Sequence, residues 1–127
     1  GLIYNEMGDF NKALEYYKKS YEICKNLYAD NLNHPHIATS LNNIGTVLDE
    51  KGYYNEALEY LEKSHIIRKI IYADNLNHLD IAMTFNNIGT VYKNKGDYNK
   101  ALEYYEKSNE IYNKVFENNP NHEKIAM

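Results

Sequence analysis

The hydrophobic positions between residues 35 and 52 have the spacing of an α-helix. Apolar residues recur three or four positions apart, at Ile37, Leu41, Ile44 and Leu48. Pro35 suits the first helical turn, where its missing N–H is not needed. Gly52 is typical of the position just after a helix. The pattern therefore predicts a helix from Pro35 to about Lys51.

A second helix is predicted to start near Tyr53. Its buried side is expected to carry Ala57, Leu58, Leu61, Ser64, Ile67 and Ile71. Gly45 and Ala57 are small where these two antiparallel helices are expected to approach closely, and Ser64 is small where the next pair of helices is expected to dock. Asp9 and Asp97 are predicted N-caps of the equivalent helices elsewhere in the chain.

The same pattern repeats at a step of 44 residues. Gly8, Gly52 and Gly96 each begin a G-[DY]-[FY]-N-[KE]-A-L-E-Y segment. A fixed period in this range is typical of repeat proteins, in which each helical pair needs a neighbour to bury its apolar side. The predicted division is a truncated first repeat at 1–34, a second at 35–78 and a third at 79–121, with a further helix starting in 122–127.

These residues resemble the tetratricopeptide repeat pattern. The second repeat carries it at Leu41, Ile44, Gly45, Leu48, Gly52, Tyr54, Ala57, Leu61 and Ser64. The third carries it at Phe85, Ile88, Gly89, Tyr92, Gly96, Tyr98, Ala101, Tyr105 and Ser108. The resemblance implies an all-α fold of helical hairpins in a right-handed superhelix, with the first helix of each hairpin lining a concave groove.

The repeats are about ten residues longer than the usual 34. Their sequence resembles that of the long-repeat subclass typified by kinesin light chains, as seen in the segments HPHIATSLNNIGTV and KGYYNEALEYLEKS. Leu41 and Phe85 stand where the family often has tryptophan. Lys25, Lys69 and Asn113 stand at the usual proline position, so the second helix of each repeat is expected to be longer.

A polar stripe lies a quarter-turn or more from the buried stripe of each first helix. In the second repeat it comprises Thr39, Asn42, Asn43, Thr46, Asp49 and Glu50; in the third, Met83, Asn86, Asn87, Thr90, Lys93 and Asn94. By the resemblance this stripe faces the groove, where an asparagine amide offers a donor and an acceptor to a peptide backbone. The alternative is that asparagine fills an exposed helix face in a chain rich in that residue, or survives from repeat duplication.

The composition limits the classes of partner that the chain is expected to bind. The net charge is −4 and the pI about 5.7, with acidic and basic residues interspersed. Nucleic acid and anionic membrane surfaces both require a basic face, so neither is an expected partner. There is one cysteine, Cys24, and no long apolar run, which favours a cytoplasmic location.

No catalytic constellation stands out, and neither a metal nor a cofactor is expected. His34 and His36 are close, but two ligands make a poor metal site. The sequence therefore predicts a binding and scaffolding module whose partner is a peptide or protein, and not an enzyme. Two alternatives stay open: an element that stacks repeats between chains, and a regulatory segment of a larger enzyme.

The ends of the repeat array are expected to promote self-association. Gly1 aligns with Gly45, so the first repeat holds only the end of its first helix. Ile111, Val115 and Phe116 in the last complete helix have no following helix to cover them. Uncovered apolar faces of this kind promote association between copies.

Overall fold

The computed structural model describes the backbone of residues 2–117 and the side chains of residues 9–117. Within that range the chain forms five α-helices and no strand: α1 Leu2–Leu27, α2 Pro35–Glu50, α3 Tyr54–Ile71, α4 Leu79–Lys95 and α5 Tyr98–Glu117. The chain divides into two compact units at Ile71 and Tyr72, with α1 to α3 in the N-terminal unit and α4 and α5 in the C-terminal unit. The all-α prediction is confirmed, and α2–α3 and α4–α5 are helical hairpins.

Histidine caps the first helix of both hairpins. The Nδ1 atom of His34 accepts a hydrogen bond from the backbone N–H of His36 at 3.1 Å, and His78 Nδ1 accepts one from Asp80 at 3.0 Å. Each imidazole also stacks on a tyrosine, His34 on Tyr28 at 3.6 Å and His78 on Tyr72 at 3.7 Å between ring centroids. The recurring histidine therefore satisfies a helix N-terminus, which needs acceptors for its first N–H groups.

We expect His34→Ala to lower the unfolding free energy by about 1 kcal/mol, because it removes both the cap and the stacked ring. The effect is measured by urea denaturation followed by circular dichroism. Thr39→Ala, an exposed change in the same helix, is the control. An equal loss in both variants would contradict a capping role.

Glycine in the left-handed conformation ends α2 and α4. Gly52 has φ +90° and Gly96 has φ +94°, values that side chains other than glycine rarely adopt. The following N–H of Tyr53 donates to the carbonyl of Leu48 at 2.8 Å, and that of Asp97 to Tyr92 at 2.9 Å. The chain is thereby reversed after each first helix.

The two predicted aspartate caps have different outcomes. Asp97 is confirmed as the cap of α5, because its Oδ1 accepts from the N–H of Lys100 at 3.2 Å. The prediction for Asp9 is wrong, since α1 continues from Leu2 through Gly8 and Asp9 to Leu27. In the α2–α3 and α4–α5 hairpins, by contrast, the first helix ends at a glycine and the second helix starts after it. Because α1 is continuous through Gly8 and Asp9, there is no helix N-terminus at this point for Asp9 to cap.

The α2–α3 hairpin is closely packed at Gly45. A Cβ atom built on Gly45 would lie 2.8 Å from Leu61 Cγ and 3.1 Å from the carbonyl oxygen of Ala57. The predicted apolar stripe of α2 is buried, with Ile37, Leu41, Ile44 and Leu48 all at 2% exposure or less. This confirms that Gly45 and Ala57 permit the helices to approach.

Ser64 contacts its own hairpin, contrary to the prediction that it faces the next repeat. Its hydroxyl donates to the backbone carbonyl of Ala38 in α2 at 2.8 Å. Ser108 in α5 makes the equivalent bond to Ala82 in α4 at 2.9 Å. A small hydroxyl is required there because it bridges the paired helices while fully buried.

The α4–α5 hairpin repeats this arrangement with a larger residue. A Cβ on Gly89 would lie 3.1 Å from the Tyr105 ring, which replaces the leucine of the α2–α3 hairpin. The Tyr105 hydroxyl lies 2.9 Å from Thr90 Oγ1, within hydrogen-bonding distance. Ile81, Ala82 and Ile111 form a buried cluster in the same unit.

Candidate binding cavity

A cavity of about 270 Å³ opens between α1 and α2 of the N-terminal unit. One wall comes from α1 and the other from α2. The lining residues are Asp9, Phe10, Ala13 and Tyr17 from α1, and Asn43, Thr46, Val47 and Glu50 from α2. Three of the four α2 residues belong to the stripe predicted from the sequence to face a groove.

These three residues present different chemistry to the cavity. Asn43 is half-buried and carries an amide with donor and acceptor atoms. The Thr46 hydroxyl donates to the backbone carbonyl of Asn42 at 2.9 Å, so its remaining capacity is as an acceptor. Glu50 is exposed at the rim and adds a carboxylate. Val47, which is almost fully buried, adds an apolar residue to the lining.

The rest of the predicted stripe in α2 lies outside the cavity. Asn42 is only 8% exposed and Asp49 is 9% exposed, so neither offers its side chain to solvent. Thr39 is exposed near the start of α2. The adjacent asparagines therefore have different environments, and Asn43 is the one that reaches the cavity.

The predicted polar stripe of α4 belongs to the C-terminal unit. Met83 is 44% exposed, and Asn86, Lys93 and Asn94 are exposed as well. Asn87 and Thr90 are half-buried. The Thr90 hydroxyl bonds to the carbonyl of Asn86 at 3.0 Å and lies near the Tyr105 hydroxyl, so it is held by its own unit.

Sequence reasoning missed the α1 wall of the cavity. Ala13 and Tyr17 are the equivalents of Ala57 and Leu61, one step of 44 residues away. The 44-residue step could have indicated this wall, because it relates Ala13 and Tyr17 to two residues that pack against another helix. Ala57 and Leu61 contact α2. Ala13 and Tyr17 are half-buried and line the cavity.

The cavity has an acidic rim. Asp9 and Glu50 line it, and none of its eight lining residues is lysine or arginine. Partial burial raises the pKa of Glu50 above its usual value, and the neighbouring Asp49 carboxylate raises it further. Both causes disfavour the negative charge, so a cation at the rim would stabilise it.

The raised pKa makes ionised Glu50 unfavourable for folding. Stability linked to this group is present below its unfolded pKa and is lost as pH rises through the higher folded value. We therefore expect Glu50→Gln to raise the urea midpoint slightly at pH 7, with the difference disappearing below about pH 4. Glu59→Gln, an exposed change in α3, should leave the midpoint unchanged at both pH values. A lower midpoint for Glu50→Gln at pH 7 would contradict the assignment.

A second cavity, of about 280 Å³, lies elsewhere in the N-terminal unit and contains none of the predicted groove residues. Its lining is mainly apolar, with Ile37, Leu41 and Ile66 among its residues. Within residues 2–117 no helix is long and apolar enough to cross a membrane. In the same range no three His, Cys, Asp or Glu side chains are grouped as metal ligands would be.

Comparison with known families gives two matches along the chain. A tetratricopeptide repeat profile matches residues 1–69, and another tetratricopeptide repeat profile matches residues 82–108. No curated protein matches the sequence. The first match spans α1, α2 and most of α3, and so includes both walls of the cavity.

Proposed function

Because the chain belongs to the tetratricopeptide repeat family, whose repeats mediate protein–protein interaction, we propose that its N-terminal unit binds a partner polypeptide in the cavity between α1 and α2. The observation that carries the proposal is that Asn43, Thr46 and Glu50 line one cavity with residues of α1. The protein is then a scaffolding module and not an enzyme.

The lining chemistry supports a polypeptide ligand. The Asn43 amide can bond to both a carbonyl and an N–H of a bound chain. Phe10 and Val47 add apolar surface, and the rim carboxylates favour a ligand with basic residues. The step of 44 residues further supports placing the repeats in the long, kinesin-light-chain-like type. The acidic rim does not favour an acidic cargo peptide.

We expect Asn43→Ala to weaken capture of peptides selected on this protein by about fivefold, which corresponds to about 1 kcal/mol for one hydrogen bond. The peptides come from a phage-displayed random dodecamer library, and affinities are measured by fluorescence anisotropy. Asn109→Ala, an exposed change in α5, is the matched control. Equal affinities for both variants and the unmodified chain would remove Asn43 from the site.

A further inference from the structure

The second cavity of the N-terminal unit lies where α1 and α3 both pack against α2. Its volume is about 280 Å³, close to the lower end of the range for small-molecule pockets, roughly 300 Å³. Its walls come from α1, the connection to α2, α2 and α3, so these elements alone form it. It shares no lining residue with the cavity between α1 and α2 described above.

The floor of this second cavity is aliphatic. Ile37 and Leu41 of α2 are each 2% exposed, and the half-buried Ile67 of α3 lines the same space. Leu32 and Ile66 also line it and are more than half exposed, which places them at its opening. An apolar ligand here would therefore be removed from water against five aliphatic side chains.

The opening carries two positive charges, Lys25 from α1 and Lys63 from α3. Each ammonium group lies over a tyrosine ring of its own helix, 4.9 Å from the centre of Tyr21 and 5.4 Å from that of Tyr60, a favourable contact for a cation. Lys25 also pairs with Glu22 at 3.8 Å, in an exposed pair of small energy. None of the nine lining residues is aspartate or glutamate, although the chain has a net charge of −4. The opening is therefore suited to an anion.

The α4–α5 hairpin shows what covers the equivalent surface in its own unit. Phe85 stands one repeat step after Leu41, and it packs against the buried Ile81 and Ile111. These two isoleucines are the equivalents of the floor residues of α2 and α3. The ammonium group of Lys107, the equivalent lysine, lies 5.6 Å from the centre of the Phe85 ring. The smaller leucine in α2 leaves this surface open to a ligand.

We propose that this cavity binds a linear aliphatic carboxylate, a fatty acid of medium length. The hydrocarbon chain lies on the aliphatic floor, and the carboxylate lies between Lys25 and Lys63. A peptide backbone fits the cavity less well, because its N–H and carbonyl groups would find only Tyr21 and Asn33 as uncharged polar side chains in the lining. A hydrocarbon chain has no such groups to satisfy.

The test is isothermal titration calorimetry of the whole chain with decanoate. We expect saturable binding of one molecule per chain. Affinity should rise about fourfold for each methylene group in the series from hexanoate to decanoate. Decanol has the same hydrocarbon chain without the negative charge, and it should bind about fivefold more weakly.

Variants with matched controls locate the site. Ile66→Glu puts a carboxylate at the opening and should weaken decanoate binding at least tenfold, whereas Ile70→Glu, an exposed change in α3 outside the lining, should not. Lys63→Gln should weaken binding about threefold, and the exposed Lys69→Gln should leave it unchanged. Leu41→Phe introduces the residue of the equivalent position in α4 and should weaken binding at least tenfold. The changes at positions 63 and 66 affect exposed side chains, so they test the site without altering the core.

Each contrary result overturns a stated part of the proposal. Absence of saturable decanoate binding, or equal losses for Ile66→Glu and Ile70→Glu, removes the ligand from this cavity. Equal affinities for decanoate and decanol would show that the lysines do not recognise a carboxylate. If decanoate fails to bind and library-selected acidic peptides lose affinity on Lys63→Gln, the cavity takes a polypeptide and the fatty acid is wrong. The Asn43→Ala measurement reports on the other cavity, so polypeptide binding there is tested separately.

Discussion

Gly45→Leu is expected to lower the unfolding free energy by about 3 kcal/mol, the upper part of the range for overpacking a closely packed contact. Even the first added atom would lie 2.8 Å from Leu61 Cγ and 3.1 Å from the Ala57 carbonyl oxygen. Leu61 can move away only by losing its present packing, and the Ala57 carbonyl oxygen cannot move without the backbone of α3. The hairpin must therefore open to admit the side chain. Urea denaturation followed by circular dichroism measures the loss.

Two variants test the cause of that loss. Gly45→Ala adds one carbon atom and should give a smaller effect than Gly45→Leu. Glu62→Leu introduces the same side chain on the exposed side of α3 and should change stability by no more than about 0.5 kcal/mol. A similar loss for Glu62→Leu and Gly45→Leu would mean that the cost arises from leucine itself and not from the contact between α2 and α3.

The helical hairpins could be predicted from the sequence because their signals are local. The helical spacing of the apolar residues, together with Pro35 and Gly52, predicted the end of α2 to within one residue of its observed position at Glu50. Gly45 and Ala57 marked the close contact because both are small at positions where the two predicted antiparallel helices were expected to approach. These features depend on neighbouring residues in the chain, which sequence reasoning reads well.

The errors concern features that depend on a second helix. Gly8–Asp9 and Gly96–Asp97 have the same local sequence, but only the second forms a turn with a capping aspartate. A local pattern therefore does not report whether the chain turns at such a glycine or continues as one helix. Ser64 was predicted to contact the wrong neighbour for the same reason, since small size does not indicate which helix it faces.

The candidate site was predicted in part. A helical wheel places Asn42 and Asn43 on the same polar side, but only the structure shows that Asn42 is 8% exposed and Asn43 lines the cavity. The adjacent asparagines thus do not share one role. A helical wheel of α2 could not show the α1 wall, because that wall depends on which face of α1 lies beside α2. Whether the α4 stripe binds a ligand stays a prediction.

Leu61→Ala is expected to destabilise the chain by roughly 3 kcal/mol, as for other fully buried leucines. Leu61 is 0% exposed and packs against Gly45, so its removal leaves a void where α2 has no side chain to fill it. Ile66→Ala in the same helix is the control, since that side chain is 56% exposed and should cost about 1 kcal/mol or less.

The double variant Gly45→Ala with Leu61→Ala tests whether the two residues form one contact. In the absence of the leucine the new methyl group no longer meets Cγ and occupies part of the void. The Ala57 carbonyl oxygen, at 3.1 Å, is still near and limits the gain. We therefore expect the double variant to lose less than the sum of the single changes, by about 1 kcal/mol, a coupling typical of residues in contact. Strict additivity in urea denaturation would show that glycine is required at position 45 for a reason other than Leu61.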